Sequence, residues 1–166
     1  DGGKGGSLSF LAGKGTSMTG GSLSMRSGLG VATSSGSINI NTGNGGTNGA
    51  SGEISLKTGD ATGISSGSIS ISTGNAGIEN SGNVLISVGN GGSGVGGDMK
   101  MSAGSSISGT GGSVSLLSGR SATGSSGNML LGSSNAGISG RSGDVSISTG
   151  SASLGDSGSV SLKTGD

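Results

Sequence analysis

The sequence contains no cysteine, proline, histidine, tryptophan or tyrosine, and its one aromatic residue is Phe10. Each absence removes a class of protein. Without cysteine there are no disulfide staples and no thiolate metal sites; without histidine the commonest metal ligand and general base is gone. One phenylalanine cannot fill a thick globular core. The lack of proline sets the chain apart from proline-rich linkers and mucin-like stalks. Eight basic residues, scattered singly, balance eight acidic ones to a net charge of zero. Nucleic acid is therefore not an expected partner. No apolar run approaches the ~20 residues of a membrane span, and the first thirty residues lack the sections of a signal peptide.

What is present is glycine (43) and serine (40), together half of the 166 residues. Such a bias usually marks a disordered or low-complexity chain. Here it carries a register. A glycine recurs at Gly6, Gly21, Gly36, Gly52, Gly67, Gly82, Gly97, Gly112, Gly127, Gly143 and Gly158, spaced by fifteen residues and twice by sixteen. With this anchor as position one, position three is aliphatic in all eleven repeats, as in Ile38, Ile69 and Val145. Position five is apolar in all eleven, as in Phe10, Ile71 and Leu162.

Side chains two apart on an extended segment share a side, so positions three, five and seven form one face and positions two, four and six the other. Position seven is small in most repeats (Thr42, Thr73, Ala103). Position eight is glycine in every repeat but one, Ser134 being the exception. A glycine there predicts a sharp turn through positive φ. Position nine is often Asn or Asp (Asn44, Asp60, Asn75, Asp166), and position ten is only Gly, Ala or Ser, which predicts a tight corner. The return segment carries about one apolar residue, such as Ile64, Ile78 or Ile138, in a wandering register.

One strong strand, one weak strand and two glycine turns per repeat predict an all-β fold without helix. The expected architecture is a single parallel β-solenoid over residues 1–166, with about eleven rungs of 15–16 residues around a narrow aliphatic core. At ~4.8 Å per rung such a rod is roughly 50 Å long. Two aliphatic residues cannot offset the entropy of ordering fifteen, so a rung is not expected to stand alone. The chain starts within a return segment, residues 1–5, and stops just past a turn at Asp166. It is expected to be an excerpt of a longer array or a unit of a filament.

The unit G-[SDEN]-[ILVM]-x-[ILMF]-x-[TSVA]-G, seen as GSININTG at 36–43 and GEISLKTG at 52–59, resembles the repeats of glycine- and serine-rich, short-repeat parallel β-solenoid proteins. Such repeats occur in extracellular algal matrix proteins, those of diatoms included, and in bacterial surface adhesins. The resemblance implies an extracellular or cell-surface location and a matrix role, and it carries over no catalytic residue.

The acidic residues stand mostly one per repeat at differing positions, without the convergence an active site needs. They read as solvated charge that discourages sheet-to-sheet sticking. The run GNGGTNG at 43–49 lacks the strand–loop–helix context of a nucleotide site. No catalytic residue, cofactor or metal is assigned; Asp60 and Asp166 could bind a cation at a turn but read as turn-forming residues.

The expected function is non-catalytic: a stiff extracellular fibre, surface stalk or matrix component built by rung stacking, with itself as partner in end-to-end or lateral filament contacts. The alternative is an ice- or mineral-binding face made by position four, namely Ser9, Ser24, Asn39, Ser55, Ser70, Ser115, Ser146 and Ser161. A polysaccharide is a further candidate ligand.

Overall fold

The structure, a computed structural model, describes residues 3–165. Asp1, Gly2 and Asp166, and with them the readings placed on the chain start and on the Asp166 turn, lie outside the described residues. Among the described residues there is neither strand nor helix, and no residue is buried. The expected β-solenoid with its aliphatic core is thus corrected to an irregular coil with regularly placed bends.

The reason lies in the hydrogen bonds. A strand exists only when its backbone groups pair with another segment. The six backbone bonds among the described residues close short local loops, and none joins one aliphatic segment to another. The surface left to solvent is 16807 Å² for a 15.1 kDa chain. A compact monomer of that mass exposes about 7,000 Å² and a fully unfolded one about 22,000 Å². The chain lies nearer the second.

The coil nevertheless keeps the period of the sequence. Bends fall at 16–18, 31–33, 62–64, 77–79, 92–94, 107–109, 122–124 and 153–155, which are positions eleven to thirteen of their repeats. The two sixteen-residue repeats bend at 47–48 and 138–139. There the extra residue makes room for hydrogen-bonded turns, in which Gly49 N donates to Gly46 O at 3.1 Å and Gly140 N to Gly137 O at 3.3 Å. No described residue has a positive φ. The left-handed turn expected at position eight is therefore absent. The chain reverses later and through ordinary backbone, of the kind a type I turn uses.

The chain divides into two units, Asp1–Val84 and Leu85–Asp166. Within the first, each anchor glycine after Gly6 sits against position seven of the preceding repeat. A β-carbon placed on Gly21, Gly36, Gly52, Gly67 or Gly82 would lie 3.3–3.5 Å from the side chain of Ala12, Ser27, Thr42, Thr58 or Thr73 respectively. The second unit repeats the arrangement. Gly97, Gly112, Gly127, Gly143 and Gly158 meet Val88, Ala103, Ser118, Ser133 and Thr149 at 2.8–3.7 Å on the same measure. The return segment of each of the first ten repeats is thus a loop pinched between its position-seven side chain and the next anchor glycine.

The size of the position-seven residue decides how tightly the pinch closes. Where it is Ala12, Ser27, Ala103 or Ser118, the next anchor donates to the position-eight carbonyl. These bonds are Gly21 N to Gly13 O, Gly36 N to Gly28 O, Gly112 N to Gly104 O and Gly127 N to Gly119 O, at 2.8–3.0 Å. Where it is β-branched, as at Thr42, Thr58, Thr73, Val88 and Thr149, a γ-methyl meets the anchor and no such bond forms. Ser133 is small yet makes none; its loop has the extra residue, and Ser134 replaces the position-eight glycine. Thr73→Ala is accordingly expected to let Gly82 N reach Gly74 O and slow exchange of the Gly82 amide about fivefold, the equivalent of a net ~1 kcal/mol hydrogen bond. Ala103→Thr is expected to do the reverse at Gly112. Site-resolved hydrogen exchange measures both.

Exposure follows the alternation read from the sequence. Leu85 and Leu130 at position four are 87% and 96% exposed, whereas position three lies between 49% and 62% in every repeat but the first. Leu8 in the first repeat is 82% exposed and Leu162 in the eleventh is 99% exposed.

Candidate functional site

The eight candidate residues Ser9, Ser24, Asn39, Ser55, Ser70, Ser115, Ser146 and Ser161 are all exposed, and none is engaged in a hydrogen bond among the described residues. Each lies between the apolar positions three and five on a segment free of bends, so its polar group faces water. The structure leaves them accessible but does not assemble them, because no ladder joins one repeat to the next.

The charged residues are likewise separate. Asp98 and Lys100, at positions two and four of one repeat, form an ion pair of 2.8 Å with both side chains largely exposed. A pair so hydrated contributes little to stability. Glu53 and Lys57, at positions two and six of the repeat that starts at Gly52, are exposed, as is Asp60. No group of three or more acidic residues converges among the described residues, and no cavity is present there. The run at 43–49 has a structural use instead, since its Gly46 and Gly49 close the first of the two hydrogen-bonded turns.

The tight corner expected at position ten takes more than one form. At Gly15 the carbonyls of Met18 and Thr19 fold back so closely that an added β-carbon would collide with both, Thr19 O lying 2.7 Å from it. Gly30 and Gly45 are crowded in the same way by Ser34 and Gly49. In the second unit Ser106 and Ser121 take over with their hydroxyls. Ser106 Oγ accepts from Gly109 N, and Ser121 Oγ from Gly124 N, each at 2.8 Å. A serine oxygen bonding three residues ahead is the local competition with regular structure that Ser favours. Ser106→Ala is expected to raise exchange at the Gly109 amide by a few-fold while leaving Gly124 unchanged, as measured in one exchange experiment.

Sequence reasoning missed two things: the pinch between positions seven and one, and these serine caps. The signal for the first was available, since both columns are restricted to small or β-branched residues. The signal for the second was not, because a cap serine looks like the other thirty-eight.

No protein family, no curated protein and no solved structure matches the chain.

Proposed function

We propose that the chain is a non-catalytic structural component of an extracellular or cell-surface matrix. The observation that carries this reading is the pinched return segment, formed between the same two repeat positions ten times over. A chain that repeats one local closure and varies little else is organised for length and uniformity. The stiffness expected from stacked ladders is not part of this reading, since the ladders do not form. The mechanical property that replaces it is extensibility. Four of the ten pinches carry a hydrogen bond and five set a γ-methyl against the anchor, and opening an eight-residue segment releases up to about 28 Å of chain. The hydroxyls and amides of positions two and four keep the chain hydrated.

The test has two arms. Antibodies against the chain are expected to label the wall or matrix of the source cells in electron micrographs, and single-molecule pulling is expected to give smooth lengthening without large rupture peaks. Labelling confined to the cell interior, or rupture peaks typical of packed domains, contradicts the proposal.

The ice- or mineral-binding alternative draws support from the exposure of all eight position-four residues. It also needs them on an even lattice, and that spacing would come from laddered strands. Purified chain is expected to show no thermal hysteresis and no ice shaping; either effect would put this alternative first.

A further inference from the structure

We propose that the aliphatic pairs at positions three and five are a docking surface for a second copy of this chain, laid alongside with its own pairs in apposition. The inference rests on the structural-component reading and names its partner. Three observations select the occupant.

The first is area. Each unit presents five complete pairs, all exposed, and at roughly 60–120 Å² of apolar surface per aliphatic side chain the exposed part sums to about 500 Å² per unit. Two copies laid together through one unit each would bury about 1,000 Å² in total, the lower bound of a specific interface.

The second is the backbone. Positions two to six carry no backbone hydrogen bond among the described residues, and no bend interrupts them. Their N–H and C=O groups are bonded to water and are open to pairing with an added backbone when the aliphatic side chains beside them become covered. A lipid surface would strip that water and leave these groups unmatched.

The third is spacing. Pairs recurring every fifteen residues, with two repeats of sixteen, are met pair for pair only by a partner with the same interval, which this chain supplies. Its net charge of zero raises no repulsion against such a partner.

The experiment is sedimentation velocity of the full chain over a range of concentrations, with two fourfold variants. One replaces Ile38, Ile40, Ile69 and Ile71 by serine; the other replaces Ile64, Ile78, Ile107 and Ile138. The same number of isoleucines is removed in each, but those of the second set lie in return segments and are the more exposed, at 90–108% against 50–70%. The wild-type chain is expected to associate with rising concentration. The first variant is expected to weaken association at least tenfold, and the second to change it less than twofold.

Equal losses in the two variants would show indiscriminate stickiness and overturn the proposal. So would a wild-type chain that stays monomeric throughout, or one that binds phosphatidylcholine vesicles through the same four residues without self-associating. A monomeric chain that still labels the matrix defeats this inference alone. A self-associating chain found only inside cells defeats the structural-component reading alone.

Discussion

Heating the dilute chain in a calorimeter is expected to give no heat-absorption peak. A packed domain of this length absorbs on the order of 100 kcal/mol over a narrow range, at ~0.7 kcal/mol per residue. That heat, and the accompanying rise in heat capacity, come from apolar surface leaving a core. Here no described residue is buried, and the partly shielded position-three residues are already about half exposed. Nothing remains to be released together. A sharp, reversible transition of domain size at low concentration would mean that the aliphatic columns are packed in the isolated chain.

Gly15→Ala is expected to open the bend at 16–18. The added methyl meets the Met18 and Thr19 carbonyls, and backbone atoms cannot yield as the end of a flexible side chain does. Relief requires the loop to unfold, which removes the Gly21 N to Gly13 O bond and raises exchange of the Gly21 amide about fivefold for a net ~1 kcal/mol. Gly63→Ala is the matched control, since a β-carbon there meets nothing within 4 Å; it is expected to leave its neighbours unchanged. Because contacts in a tandem array run between adjacent repeats, the Gly15 effect is expected to be undetectable beyond the repeat that starts at Gly36. Nuclear magnetic resonance with exchange measures all three expectations.

Local features of the structure were legible in the sequence, and the non-local one was misread. The fifteen-residue period reappears as the spacing of the bends. The alternation that set Ile69 and Ile71 against Ser70 reappears in the exposure of Val84 and Ile86, which are better covered than Leu85 between them. The crowding expected at position ten is present at Gly15, Gly30 and Gly45. Each of these depends on residues a few positions apart.

The solenoid depended on pairing between segments a whole repeat apart. A period of two states which side a residue faces; it does not state that a neighbouring backbone will be there. Glycine at 43 positions raises the entropy lost on ordering, and two aliphatics per repeat return little against it. The turn at position eight failed for a related reason. Glycine permits positive φ without requiring it, and the bend formed instead at positions eleven to thirteen, where an ordinary backbone suffices.

The candidate surface residues were legible as exposed and polar, because position four lies opposite the apolar face. Their common geometry was not, since it was borrowed from the ladder. The exposed aliphatic pairs now carry the more specific reading. In a laddered coil they would have been a core, whereas in this chain they are the surface most in need of a partner.

The most direct measurement is residue-resolved amide exchange on the chain at a concentration where it is monomeric. Uniformly fast exchange at positions two to six of every repeat is expected, with slowing confined to the hydrogen-bonded amides of Gly21, Gly36, Gly49, Gly112, Gly127 and Gly140 and to the serine-capped amides of Gly109, Thr123 and Gly124. Strong protection recurring along positions two to six of successive repeats would show backbones already paired within one molecule, and would contradict the coreless coil on which the proposed role and the proposed partner both rest.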